Sequence, residues 1–163
     1  MTMARRSSSL RHALGIAFAM TVSSVPVLAD APAGQYLAFT KDTPTIQDDK
    51  TKLEWQRGAP RTLKTFAQAD SQCDAFGAGG RIPTIKELFT IFDEEPHTVY
   101  DFGRNVTKQI DQSAFGSSTA IDAPYWSSTP ATTAGNVWAF SFADGTMVEL
   151  PRSSGQAYAR CVR

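Results

Sequence analysis

Tyr158-Ala159-Arg160-Cys161-Val162-Arg163 carries one of only two cysteines in the 163-residue chain; the other is Cys73. The opening residues indicate where that pair resides. Arg5, Arg6, Arg11 and His12 form a basic head, Ala13 to Val22 is an apolar stretch too short to span a bilayer comfortably, and Val27-Leu28-Ala29 offers small residues for cleavage before Asp30. This is the pattern of an export signal over residues 1–29, followed by a loose leader at 30–44 and a folded domain at 45–163. In an oxidising compartment two cysteines most simply form one disulfide, so Cys73 and Cys161 are expected to join a helix in the first half to the final strand. Such a bond closes about 88 residues and contributes roughly 4–5 kcal/mol in the chain-entropy model. For a small domain that is a large part of total stability.

Removing the signal leaves 134 residues, enough for one domain. The whole chain has 16 basic and 16 acidic residues; the signal takes three arginines and no acid, leaving a net charge of −3. No strongly basic face is implied, which argues against nucleic acid as a partner. No later stretch reaches membrane-spanning length, so no span is expected in the mature form.

The element order follows from periodicity and turn chemistry. Gln35 to Thr40 alternates as a strand does; Thr45 to Asp48 and Leu53 to Gln56 flank an Asp-Asp-Lys-Thr turn as a hairpin. Leu63, Phe66, Ala69, Cys73 and Phe76 step by three or four, which predicts a helix over about 63–76 capped by Thr62 and stopped by Gly77-Ala78-Gly79-Gly80. Thr84 and Glu87 form a capping box ahead of Leu88, Ile91 and Phe92, predicting a second helix that ends near Pro96. His97 to Pro124 is poor in long aliphatics and is expected to be a long irregular loop. Strands are expected at Tyr125 to Thr129, Val137 to Phe142, Met147 to Leu150 and Gln156 to Val162, with Asp144-Gly145 turning between two of them. The fold class is α+β, helices on an antiparallel sheet.

Catalytic and metal chemistry find few residues to work with. His97 is the single histidine outside the signal, no Gly-x-Ser-x-Gly element occurs, and one histidine with two bonded cysteines cannot make a four-ligand zinc site. No catalytic and no metal residues are assigned. Asp42, Asp48 and Asp49, and Asp93, Glu94 and Glu95, are candidate oxygen ligands for a structural calcium, but neither set has EF-hand spacing. No other cofactor is expected. Trp55, Trp126 and Trp138 lie in strands and are expected in the core. Arg57, Arg61, Lys64, Arg81, Lys86, Arg104, Lys108, Arg152, Arg160 and Arg163, if several converge, would suit sulfated or phosphorylated polymers. Arg81, just before Ile82-Pro83, is expected to form a buried ion pair that braces the second helix.

Taken together these segments resemble a known family, the C-terminal domain of the Legionella collagen-like adhesin. Asp48-Asp49-Lys50-Thr51-Lys52-Leu53-Glu54-Trp55-Gln56-Arg57 is similar to its D-x-x-T-G-L-x-W-Q opening, and Ala69 and Cys73 to its Cys-bearing helix. Arg81-Ile82-Pro83-Thr84-Ile85-Lys86-Glu87-Leu88 is similar to W-R-L-P-T-x-x-E-L after its tryptophan, which Gly80 replaces here. Ile110-Asp111 with Phe115, then Tyr125-Trp126-Ser127-Ser128-Thr129, Trp138 to Phe142, Asp144-Gly145 and Arg160-Cys161-Val162-Arg163 follow in order. Lys52 stands where the family has glycine, and Ile82 where it has leucine.

The resemblance implies a C-type-lectin-like fold with two helices packed on antiparallel strands, termini close together and a helix cysteine bonded to the last strand. Its framework residues map to Trp55, Arg81, Pro83, Glu87, Trp126, Trp138 and Arg160. It implies an exported, often adhesive module, periplasmic or at the cell surface, without a shared catalytic set; the named member binds sulfated glycosaminoglycans. The expected function is therefore non-catalytic binding of a glycan, an anionic polysaccharide or another envelope ligand. The 97–124 segment is the expected recognition surface, with Tyr100, Arg104 and Lys108 as contacts. The rival expectations are a structural subunit of a surface assembly, and an envelope enzyme of the formylglycine-generating type working through His97 or convergent acids.

Overall fold

A computed structural model describes residues 34–37, 43–101, 103–116 and 119–163; the expected signal at 1–29, most of the leader, and Asp42 lie outside them. The architecture is α+β. Strand β1 (Thr45–Gln47) pairs antiparallel with β2 (Glu54–Gln56), and helices α1 (Phe66–Asp74) and α2 (Ile85–Thr90) follow. Strands β3 (His97–Asp101) and β4 (Arg104–Lys108) form a second antiparallel pair, and α3 (Gln112–Phe115) is a single turn. Strands β5 (Tyr125–Pro130), β6 (Asn136–Phe140) and β7 (Met147–Pro151) make a three-stranded antiparallel sheet.

The final segment is not one regular strand, contrary to expectation. It changes partners along its length, bridging Lys64 at Ala157, Tyr125 at Tyr158, and both Trp55 and Arg81 at Val162. Cys161 and Arg163 take the N–H groups of Gln56 and Glu54 at 2.9 and 2.8 Å, while Arg81 and Val162 exchange both backbone bonds at 2.9 and 3.1 Å. The last residues therefore run between the β1–β2 hairpin and the start of the second helix. At the hairpin's other edge the expected leader is ordered where it is described: Leu37 N–H donates to Gln47 and Asp49 N–H to Gln35, at 3.1 and 2.7 Å.

Helix α1 starts later than the apolar spacing predicts. Lys64 and Ala157 exchange backbone bonds at 2.9 and 3.1 Å, which keeps residues 62–64 extended and leaves Leu63 exposed. Thr65, not Thr62, caps the helix in a capping box with Gln68. Helix α2 begins at the expected box, Thr84 with Glu87. Cys73, buried on α1, is bonded to the equally buried Cys161 with Cα atoms 5.1 Å apart.

The β5–β7 sheet is packed on both faces. Tyr125 and Phe140 face a core shared with Trp55, Leu88, Ile91 and Phe142. Trp126 and Val137 face a second core with Phe66, Cys73 and Cys161, where the Phe66 and Trp126 rings meet edge-on at 5.5 Å. Trp126 Nε1 donates to Lys64 O at 2.7 Å, satisfying the indole inside the core. Trp55 and Trp126 are fully buried as expected, whereas Trp138 is half-buried.

Both glycine replacements are visible in the backbone. Lys52 has φ 63°, the sole non-glycine with positive φ among the described residues, so the turn keeps the conformation a glycine adopts without strain. A Cβ on Gly80 would lie 2.3 Å from Cys73 O, so the 77–80 turn has room for no side chain at this position.

Candidate functional site

The 97–124 segment is more regular than its composition suggests. Thr98, Val99, Val106 and Thr107 are β-branched, Gly103 supplies the positive φ of 81° at the turn, and His97 to Asp101 pairs in register with Lys108 to Arg104. Asp111 then caps α3, accepting from Ser113 and Ala114 N–H at 2.7 and 3.0 Å.

Strand parity divides the three expected contacts. Thr98, Tyr100, Asn105 and Thr107 share the outward face, and Tyr100 is 74% exposed. Asp101, Arg104, Val106 and Lys108 share the other face, which looks toward the body. Tyr100 and Arg104 thus point to opposite sides of one ribbon. Lys108 is fully buried, its Nζ 2.9 Å from Asp101, so its ammonium meets a carboxylate rather than solvent.

Between hairpin and body lies a cleft of about 270 Å³ lined by Arg61, Asp101, Arg104, Val106, Ile121, Asp122 and Tyr158. Arg61 pairs with Asp101 at 2.5 Å, so Asp101 bridges two cations from separate segments. Burial alone would raise the Asp101 carboxyl, but the hydrogen bonds from Arg61 and Lys108 prevail and hold it below its usual value. Burial pushes the Lys108 ammonium down despite Asp101. Across the cleft Tyr158 donates its hydroxyl to Asp122 at 2.9 Å; burial and that bond push the phenol up to about 12, so it stays a donor at neutral pH.

Beneath this floor sits Arg160, 1% exposed. It donates to Gln56 O, Arg57 O and Thr119 Oγ1 at 2.8–2.9 Å and lies 4.9 Å from the Phe115 ring centroid, with no carboxylate partner among the described residues. Burial lowers its pKa. Carbonyl dipoles and ring faces replace a counter-ion here, so Arg160 ties the final segment to β2 and to the 119–124 segment.

Three further arginines brace the fold. Arg81 and Glu87 form a two-pronged pair at 2.7 Å at the start of α2; the ion pair is as expected, but its burial is not, since the arginine side chain is 44% exposed. Arg163 pairs with Glu54 at 2.8 Å, and Arg57 donates to Ala114 O and Ser113 O. Pro83 is buried and its carbonyl accepts from Ser128 N–H. The acidic clusters serve turns: Asp48 takes Lys50 N–H at 2.9 Å, Asp49 pairs with Lys52, and Asp93 takes Glu95 N–H at 2.9 Å. Among the described residues no three acidic, histidine or cysteine side chains converge as a metal site. His97 meets Asp93 at 2.8 Å, but among the described residues no serine, threonine or cysteine side chain hydrogen-bonds its ring. A second, shallower groove of about 540 Å³ runs along α1 past Leu63, Lys64 and Gln72 and gathers no opposed charges.

Sequence reasoning found Arg104 but missed Arg61, Asp101, Asp122 and Tyr158 as its neighbours. The alternation of 97–101 and 104–108 about Gly103 was the available signal. Among the described residues no helix is long and apolar enough to cross a membrane. No curated protein matches the chain. The family model described as the Lcl C-terminal domain matches residues 44–163, taking in both cysteines and the hairpin. The chain belongs to the Lcl C-terminal domain family.

Proposed function

We propose that this protein is an exported, adhesin-related binding module without catalytic activity, and that the β3–β4 hairpin with the cleft behind it is its recognition surface for a glycan or anionic polysaccharide. The observation that carries this reading is the cleft itself, where Arg61 and Arg104 approach from separate segments beside Tyr158. Guanidinium groups suit the oxyanions of acidic saccharides, and the aromatic wall suits a sugar ring. Tyr100 and Arg104 are the direct contacts, Tyr100 from the outward face; Lys108 positions Asp101 and thereby Arg61. Membership of the family supports export and adhesion, and the C-type-lectin-like ancestry inferred from the sequence motifs belongs to the same proposal. The periplasm and the cell surface are both compatible with it.

The test is a glycan array with the mature protein, run with and without calcium and at two salt concentrations. Binding to acidic glycans that weakens at high salt and is lost in Arg104→Ala supports the reading. Retention of full binding in a Tyr100→Ala/Arg104→Ala double variant removes this surface from consideration.

A further inference from the structure

We propose that the cleft behind the hairpin holds a zwitterionic unit of single-residue size, an oxyanion and a primary ammonium joined by a short carbon spacer. This rests on the binding-module reading and names what one position of that surface takes.

The charges in the cleft are of two kinds. Asp101 is held by Lys108 within the hairpin and by Arg61 from the body, and the Arg61 pair ties the two together. Arg104 and Asp122 are different. Both line the cleft, one on β4 and the other in the segment before β5. No ion pair joins either of them to another described residue, including one another. Asp122 accepts the Tyr158 hydroxyl at one oxygen, Oδ1, and exposed Asp122 has a second oxygen to offer a ligand. A purely anionic ligand would satisfy Arg104 and be opposed by Asp122; a purely cationic one would meet the reverse. A ligand with both charges satisfies both walls. Between them Val106, Ile121 and the Tyr158 ring provide an apolar stretch suited to a carbon spacer. A volume of about 270 Å³ lies at the low end of ligand cavities, the size of one sugar or amino-acid unit rather than a chain.

This chemistry occurs in free amino acids and in aminoethyl phosphate substituents on larger glycans. The experiment titrates the isotopically labelled mature protein, followed by amide NMR, with phosphoethanolamine and with β-alanine, and in parallel with their half-molecules, ethyl phosphate and ethanolamine for the first and propionate and ethylamine for the second. The expected result is shifts centred on Arg104, Asp122 and Tyr158, with at least one zwitterion binding about tenfold or more tighter than either of its halves. The phosphate and carboxylate arms tell the two sources apart. Asp122→Asn, which keeps an acceptor for Tyr158, is expected to abolish the advantage of phosphoethanolamine over ethyl phosphate; Arg104→Ala is expected to abolish binding of both. A near-neutral ligand predicts little salt dependence, unlike the polymer binding above. Equal binding of half-molecules, an unchanged preference in Asp122→Asn, or no shift with any probe at millimolar concentration overturns the inference. Array binding of acidic polymers without any zwitterion response overturns it alone and leaves the broader reading standing.

Discussion

The disulfide-bonded body and the β3–β4 hairpin are built on different principles. The body buries Trp55, Trp126, Phe140, Phe142 and both cysteines, and its final segment bonds to β2, to Lys64 and to Arg81 in turn. Among the described residues the hairpin pairs only with itself as a sheet. It is fastened by charge, through Arg61 on Asp101, a carboxylate that Lys108 also holds from within the hairpin, and at its base by Asp93 with His97 and by Gln109 N–H on Phe142 O. Apolar burial is non-directional and robust to pH and salt, whereas ion pairs titrate and depend on geometry. The part proposed to meet a ligand is thus the part whose attachment responds to the surroundings.

The contrast is most severely tested by removing the body's bond. Cys73→Ala deletes a link across 88 residues, and the loss is expected to be roughly 4–5 kcal/mol, lowering the melting temperature by about 10–25 °C. Equal melting with and without reductant would show that packing alone holds the body. Next in size is Asp101→Asn. It removes the carboxylate that the fully buried Lys108 and Arg61 share, a loss on the order of 3 kcal/mol. Its signature is regional: hydrogen exchange should accelerate at 97–108 while amides near Cys161 remain protected. Uniform acceleration would mean that the hairpin and body unfold as one unit.

Acid should act on the same contacts more gently. The Asp101 and Glu87 carboxyls lie below their usual values of 3.8 and 4.5; at both, burial pushes the other way and is outweighed by hydrogen bonds, from Arg61 and Lys108 to Asp101 and from Arg81 and Thr84 to Glu87. Their folded-state values are depressed, so their contribution is complete above those pH values and is lost as pH falls through the lower folded ones. Exchange at the hairpin is therefore expected to rise below about pH 4 before the body melts. The smallest effect concerns Lys52. Replacing it by glycine relieves a positive φ of 63° and removes the exposed contact with Asp49, for a net gain of about 1 kcal/mol, visible as a small rise in melting temperature. A fall would mean that the Asp49 contact outweighs the strain.

Legibility in the sequence follows the same division. The disulfide, the Thr84–Glu87 capping box and the burial of Trp55 and Trp126 were readable because each depends on local pattern or simple counting. Helix α1 was placed three residues early because Leu63 continues the apolar spacing, while the bridge from Lys64 to Ala157, over ninety residues away, overrides it. The Thr65-x-x-Gln68 box was the competing local signal. The hairpin was missed because its outward face is threonine, tyrosine and asparagine, so alternation shows weakly in hydrophobicity. Without the hairpin no parity could be assigned, and Tyr100, Arg104 and Lys108 looked like neighbours on one surface. Arg61 and Asp122 were beyond reach, since only the folded chain brings them to Asp101 and Tyr158.

The position of Val162 between Trp55 and Arg81 has a consequence for how the molecule is made. Pairing partners more than eighty residues apart are required before the β1–β2 edge, the second helix and the disulfide can settle. A nascent chain that has not yet delivered residues 161–163 lacks the segment that joins these pieces, and the high sequence separation slows closure further. Until then neither the Cys73–Cys161 bond nor the pairing of Trp55 and Arg81 with Val162 can form, so the body is completed by its last-made residues.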